Sequence, residues 1–148
     1  MDRYQPVDIL LVEDNPDDVE ITRRALQRSR IANRLYVARD GEEALKTLSE
    51  RNGRKESGIP WPDILLLDLN MPRMTGIEVL HRIKSDERLK RIPTIVLTVS
   101  EREEDVLRSY ELGANSYVTK PVSFNDFMKA VDALGEFWIV IARLPPKG

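Results

Sequence analysis

The chain has 148 residues, of which 41% are hydrophobic and 32% are charged, and its formal net charge is -2. This length and composition predict one globular domain with a real core, and they exclude a fibrous or largely disordered protein. The small net charge indicates no general attraction to nucleic acid or to an anionic membrane. The absence of cysteine excludes disulfides, thiolate catalysis and cysteine-based metal sites, and it is consistent with a reducing compartment.

Neither a secretion signal nor a membrane helix is predicted. A strand already begins at Val7, in the region where a signal peptide would carry its apolar run. No apolar run elsewhere reaches the roughly 18 residues that a membrane helix needs. We therefore expect a cytoplasmic protein that does not act at a membrane.

Five short apolar runs predict the strands of a sheet. They span Val7–Val12, Leu35–Ala38, Ile64–Asp68, Thr94–Thr98 and Ser116–Thr119. Amphipathic segments that predict five helices alternate with them, and such alternation is typical of an α/β domain with a parallel sheet. Right-handed crossovers restrict the topology, and they favour the flavodoxin-like, doubly wound strand order 2-1-3-4-5.

The first two helices have recognisable start signals. Asn15 can cap the first helix, Pro16 suits its first position, and Asp17 and Asp18 complement the positive end of the helix dipole. Asp40 is a suitable cap for the second helix.

The third and fourth helices are each predicted to begin with a capping box. The first box runs from Thr75 to Glu78, and the second runs from Ser100 to Glu103. Gly113 is expected to end the fourth helix, because glycine readily adopts the left-handed conformation found there.

The last helix is predicted from Ser123 to about Arg143, with Phe124 and Phe127 in its core-facing stripe. Its end is apolar on every face. A helix of that kind is either buried or exposes an apolar patch that binds a partner. We therefore predict a homodimer or partner surface formed by Phe137, Trp138, Val140 and Ile141.

Charged or hydroxyl-bearing residues stand at the carboxyl ends of four predicted strands. Glu13 and Asp14 follow the first strand, Asp68 ends the third, Thr98 ends the fourth and Lys120 follows the fifth. Because the carboxyl ends of parallel strands face one crevice, these side chains are expected to meet there.

The predicted pocket has an excess of negative charge. Two like charges about 4 Å apart repel by on the order of 4 kcal/mol at an effective dielectric near 20. Lys120 supplies one positive charge, and a divalent cation would balance two more. Oxygen ligands suit Mg²⁺, and no cluster of His or Cys indicates zinc. A carboxylate beside such a cation can accept a phosphoryl group, with Lys120 and the Thr98 hydroxyl contacting its oxygens.

The motifs around these residues resemble the receiver domain of two-component response regulators, the CheY-like family. They occur in the family's order from about residue 7 to residue 140, so the resemblance implies one receiver domain in residues 1–148 with a short C-terminal tail. The matching segments are Leu10-Leu11-Val12-Glu13-Asp14, Leu66-Leu67-Asp68-Leu69-Asn70-Met71-Pro72 with Gly76, Val96-Leu97-Thr98, and Tyr117-Val118-Thr119-Lys120-Pro121.

This resemblance implies a phosphorylation site with a metal ion. Asp68 would be the phosphoacceptor. Glu13, Asp14 and Asp68 would hold Mg²⁺ together with the backbone carbonyl of Asn70.

The resemblance also implies how phosphorylation is sensed. Thr98 would bind the phosphoryl group and Lys120 would form a salt bridge with it. Tyr117 would be the aromatic residue that turns inward when Thr98 moves, and Pro121 would follow a cis peptide bond. Val99 is larger than the residue that the family often has after the threonine, so we expect it to hinder access to the phosphoryl group.

The loop that contains Trp61 and the extended last helix resemble single-domain response regulators that partner bacterial phytochrome-type histidine kinases. The implied function is a stand-alone response regulator, phosphorylated by a histidine kinase, that switches its strand 4, helix 4, strand 5 and helix 5 face for partner binding or dimerisation. The sequence contains no DNA-binding motif, so output through protein contacts is expected.

Three other functions remain open from the sequence. The chain could pass the phosphoryl group on as a phosphorelay intermediate, or serve as an inert receiver-like scaffold. A haloacid-dehalogenase-like phosphatase would need an acid two residues after Asp68, where this chain has Asn70.

Overall fold

The computed structural model describes residues 6–28, 32–49, 59–99, 108 and 110–132. The strands are β1 (Val7–Val12), β2 (Asn33–Ala38), β3 (Ile64–Asp68), β4 (Thr94–Thr98) and β5 (Ser116–Thr119). The helices are α1 (Pro16–Gln27), α2 (Gly41–Ser49), α3 (Gly76–Lys84), a short 3₁₀ helix (Leu89–Arg91) and the last helix (Phe124–Asp132). None of these described helices is long and apolar enough to cross a membrane.

All five strands are parallel, in the order β2-β1-β3-β4-β5, which confirms the predicted fold. The strand order reverses between β1 and β3. The register pairs Val12 with Leu67, Asp68 with Leu97 and Thr98 with Thr119. The carboxyl ends of β1, β3, β4 and β5 therefore lie side by side along one edge.

The sheet is buried on both faces, which explains its nearly continuous apolar strands. On one face, Leu11, Leu66 and Leu97 pack with residues of α1 and the last helix. On the other face, Leu10 and Leu65 pack with residues of α2 and α3. Each of these five side chains is at most 1% exposed, so the sheet is a rigid support for the residues at its ends.

The predicted start of α1 is confirmed. The side chain of Asn15 accepts hydrogen bonds from the backbone N–H groups of Asp17 (2.8 Å) and Asp18 (3.4 Å), and Pro16 is the first helical residue. This cap satisfies N–H groups that have no partner within the helix.

The caps of α2 and α3 also form. Asp40 Oδ1 accepts from the backbone N–H of Glu43 at 2.8 Å, and Glu43 Oε2 accepts from the backbone N–H of Arg39 at 3.0 Å. Thr75 Oγ1 accepts from the backbone N–H of Glu78 at 3.2 Å. These bonds fix where each helix begins relative to the strand before it.

Two expectations need correction. β2 begins at Asn33, two residues earlier than predicted, and its Arg34 pairs with Asp8 of β1. Phe124 is 40% exposed, whereas Phe127 is 2% exposed and lies in the core. Phe124 is the first residue of its helix, and helical side chains point toward the N-terminus, so no preceding turn covers it.

Several predicted features lie outside the described residues. They include the fourth-helix capping box and the apolar end of the last helix, with Ser100, Glu103, Phe137, Trp138, Val140, Ile141 and Arg143. Gly113 has a φ of 96°, as expected for the residue that ends the fourth helix.

Candidate functional site

Asp68 lies at the centre of the carboxyl edge of the sheet, where β3 ends between β1 and β4. It is 1% exposed, and its Oδ1 accepts a hydrogen bond from the backbone N–H of Asn70 at 3.1 Å. The start of α3 packs tightly against this point: a Cβ atom on Gly76 would lie 2.1 Å from the carbonyl oxygen of Asp68. Glycine is therefore required at position 76 if Asp68 is to keep this backbone position.

Glu13 and Asp14 extend from the end of β1 toward Asp68. One carboxylate oxygen from each of the three residues can be chosen so that all lie within 4.8 Å of one another. Glu13 is 1% exposed, whereas Asp14 is exposed. The three acids thus form a cluster with a buried side and an open side.

Lys120 enters the same pocket from the end of β5. Its Nζ lies 2.5 Å from Glu13 Oε1, 3.2 Å from Asp68 Oδ2 and 3.1 Å from Asp18 Oδ2. The Lys120 side chain is 8% exposed. The ion pair with Asp18 joins the first turn of α1 to the end of β5, and it was not predicted.

The electrostatics of the pocket reflect burial and crowded carboxylates. Burial and a side-chain hydrogen bond with Asp68 raise the pKa of Glu13 to about 8, and the opposing effect of Lys120 is smaller. Burial by itself lowers the pKa of Lys120, but the hydrogen bond with Glu13 and the charge of Asp68 outweigh it, so the net direction is upward. The acids hold more negative charge than the ammonium balances.

This donor set fits a hard divalent cation. Clustered carboxylate oxygens with one exposed member, Asp14, match the preference of Mg²⁺ for a few carboxylates and several waters. Burial and the neighbouring Asp68 raise the pKa of Glu13 because they disfavour its charged form, and a bound cation would offset both effects. Glu13, Asp14 and Asp68 are therefore the side chains that could hold such an ion.

The remaining predicted residues lie on or next to β4 and β5. Thr98 is 1% exposed at the end of β4, and its carbonyl oxygen accepts from the backbone N–H of Lys120 at 2.9 Å. The Lys120–Pro121 peptide bond is cis. Tyr117 is 42% exposed and its ring makes an edge contact with Tyr110, with centroids 6.0 Å apart. Val99 is 62% exposed.

Asp18 is the member of this site that sequence reasoning assigned to another role. The sequence predicts only that Asp18 favours the helix start, and Asp18 does lie in the first turn of α1. Its distance along the chain from Asp14 gave no signal of a place in the site, because Asp14 precedes the Asn15 cap and lies outside α1.

A family comparison agrees with this arrangement. Residues 9–132 match the response regulator receiver domain. The chain belongs to this family. The match covers β2 to β5 in full, β1 from Ile9 onward, and the residues of the acidic pocket.

Similar proteins include response regulators, one of which is linked by name to a bacteriophytochrome. The receiver domain is 42% identical over 140 residues to the response regulator Rcp1 of Synechocystis sp., a match that covers 95% of this chain and 94% of Rcp1. The structure of the bacteriophytochrome response regulator AtBRR is 46% identical, with a TM-score of 0.77 and coverage of 88% of this chain and 94% of AtBRR. A crystal structure of Mn²⁺-bound Rcp1 is 41% identical, with a TM-score of 0.72 and coverage of 95% and 100%.

Proposed function

We propose that this protein is a cytoplasmic response regulator whose single receiver domain, with a core over residues 7–140, accepts a phosphoryl group on Asp68 from a sensor histidine kinase. The observation that carries the proposal is the setting of the Asp68 carboxylate, which is buried beside an ammonium and an acid pair. A matched ion pair would serve folding alone. An excess of carboxylates around one aspartate supports a site whose charge is completed by a ligand.

The reaction is a phosphoryl transfer to a carboxylate. A carboxylate oxygen of Asp68 forms a bond to phosphorus while the bond from phosphorus to the donor's leaving atom breaks, and that electron pair stays with the leaving group. Lys120 donates an N–H to a phosphoryl oxygen, and the Thr98 hydroxyl donates to another. The product carries about -1.5 to -2 charge where Asp68 carried one.

Mg²⁺ is the proposed cofactor. Glu13, Asp14 and Asp68 would hold it with the backbone carbonyl of Asn70, and it would supply positive charge that stabilises the phosphoryl oxygens. The acidic cluster and the Mn²⁺ in the structure of Rcp1 support this choice.

Thr98 and Tyr117 are the proposed switch residues. The added charge on Asp68 would draw the Thr98 hydroxyl toward it, and Tyr117 could then leave its exposed position beside Tyr110. The response would be a changed surface around β4 and β5 for a protein partner. The similarity to AtBRR supports a phytochrome-type kinase as the phosphodonor.

Incubation with Mg²⁺ and acetyl phosphate tests the proposal by intact-protein mass. We expect the mass of one phosphoryl group in the wild type and none in Asp68→Asn. Asp17→Asn is the control, because it removes an exposed carboxylate elsewhere. An unlabelled wild type would favour an inert scaffold, and turnover of varied phosphoesters would favour a phosphatase. Transfer from the labelled protein to a histidine phosphotransfer domain would favour the phosphorelay alternative.

The apolar composition of residues 137–142 supports a second proposal, a homodimer surface formed by Phe137, Trp138, Val140 and Ile141. Phe137→Glu should shift the monomer–dimer balance toward monomer in analytical ultracentrifugation, because a charge would be buried at the interface. His81→Glu, on the exposed side of α3, is the control. An unchanged balance in Phe137→Glu contradicts the dimer surface.

A further inference from the structure

The ammonium of Lys120 has as many acidic neighbours as it has N–H groups. An ammonium carries three donors and no acceptor. The carboxylates of Glu13, Asp18 and Asp68 each place an oxygen 2.5 to 3.2 Å from its nitrogen. A phosphoryl oxygen that approaches Lys120 therefore competes with these carboxylates for the ammonium.

The three carboxylates differ in how easily water could replace Lys120. The side chains of Glu13 and Asp68 are 0% and 1% exposed, whereas that of Asp18 is 28% exposed. A buried carboxylate that loses its cation is left without a charge partner, at a large cost. Asp18 can turn to solvent instead, and it stays near the positive end of the α1 dipole. The pair with Asp18 is thus the least costly of the three to break.

We infer that Asp18 is a positioning residue that holds the Lys120 ammonium at the rim of the pocket and competes with the phosphoryl group for it. The inference rests on the proposed function, because it assigns Asp18 a role in the phosphorylation of Asp68. While Asp68 is unmodified, the ion pair with Asp18 holds Lys120 in position. The same ion pair slows the binding of Lys120 to the incoming phosphoryl group.

Asp17 is a natural control for this inference. It lies beside Asp18 in the first turn of α1, carries the same charge and contributes equally to the helix dipole. Within the described part of the chain, Asp17 is exposed and forms no ion pair with Lys120. A comparison of the two positions separates contact with Lys120 from general effects of charge and helix stability.

The test measures the rate of Asp68 phosphorylation by acetyl phosphate at saturating Mg²⁺ in full-length Asp18→Asn, Asp17→Asn and Asp18→Glu. Removing the competing carboxylate leaves a Lys120 N–H available to the phosphoryl group, so we expect Asp18→Asn to be about three- to tenfold faster than the wild type. Asp17→Asn should match the wild type, and Asp18→Glu should return toward the wild-type rate because it restores a carboxylate. Asp18→Ser replaces Asp18→Asn if that variant unfolds at a lower temperature than Asp17→Asn.

Two results would overturn the inference. Equal rates in Asp18→Asn and Asp17→Asn would show that Asp18 acts through charge or helix stability alone. A slower Asp18→Asn would show that Asp18 assists Lys120 and does not compete with the phosphoryl group. Both differ from failure of the proposed function, in which the wild type itself acquires no phosphoryl group on Asp68.

Discussion

β1 carries a buried acid near each of its ends, and the two acids have different surroundings. At the amino end, Asp8 is 2% exposed and its Oδ1 accepts from Arg34 Nε at 2.9 Å. This hydrogen bond raises the pKa of Arg34. Asp63 adds two bonds to the same residue: its Oδ2 accepts from the Asp8 N–H, and its own N–H donates to the Asp8 carbonyl. The charge of Asp8 is matched by a neighbouring cation.

At the carboxyl end, the corresponding acid is Glu13, which lies in a cluster of carboxylates. Glu13 shares the ammonium of Lys120 with Asp18 and Asp68, and Asp14 adds a further carboxylate. Matched charge at the amino end holds β1, β2 and β3 in register. Unmatched charge at the carboxyl end favours the binding of a ligand that supplies positive charge. A buried acid thus has a matched cation at one end of β1 and an excess of acidic neighbours at the other.

The largest expected difference between the two ends is their response to Mg²⁺. A ligand at a hundred times its Kd stabilises the folded state by about 2.7 kcal/mol. Thermal unfolding of the wild type should therefore shift upward with Mg²⁺, and Asp14→Asn should lose most of this shift because one ligand oxygen loses its charge. Asp8→Asn is the matched control and should keep the full shift. A shift of equal size in Asp14→Asn would contradict a metal site at the acid cluster.

The next effect is the loss of the matched pair at the amino end. Asp8→Asn keeps the shape of the side chain but removes the charge that Arg34 binds. We expect a loss of about 2 kcal/mol in the free energy of unfolding, since hydrogen bonds between charged groups contribute about that much. Urea unfolding with and without Mg²⁺ measures it. If Asp8→Asn were as stable as the wild type, the amino-end pair would contribute nothing to the fold.

In the absence of metal, Asp68→Asn should change the free energy of unfolding in the opposite direction to Asp8→Asn. This substitution removes one carboxylate from the acid cluster, and the Oδ1 atom at position 68 can still accept a hydrogen bond from the Asn70 N–H. We expect the free energy of unfolding of the metal-free protein to rise by about 1 kcal/mol. The reason is that the repulsion between Asp68 and the other acids is larger than the attraction between Asp68 and Lys120. Urea unfolding in a chelator checks this prediction. A destabilised Asp68→Asn would show that Lys120 already balances the pocket.

The contrast between the two ends of β1 also explains which strand bounds could be predicted from the sequence. The bounds of β1, β3, β4 and β5 were predicted correctly because apolar runs end there at polar residues. The start of β2 was missed because Asn33 and Arg34 are polar. Arg34 belongs to the strand through its bond with Asp8, a tertiary contact between residues 26 positions apart.

The membership of the acidic pocket could likewise be predicted only in part from the sequence. Its members Glu13, Asp14, Asp68 and Lys120 could be predicted to meet because strand ends in a parallel sheet share an edge. Asp18 lies on a helix, and its contact with Lys120 joins residues 102 positions apart. Strand order alone does not determine which face of α1 turns toward the pocket.

The smallest expected effect concerns the opening of the pocket. At the amino end, the Arg34 guanidinium contacts the Asp8 carboxylate directly, while at the carboxyl end the exposed Val99 follows Thr98. Val99→Ala should speed both phosphorylation by acetyl phosphate and hydrolysis of the phosphoryl group by about two- to threefold, because a smaller side chain excludes less water and donor from the site. Ile21→Ala, which truncates an exposed apolar residue on α1, is the control. Mass spectrometry over time gives both rates. If Val99→Ala and Ile21→Ala behaved alike, access to Asp68 would be set by other residues, and the open side of the pocket would lie away from Val99.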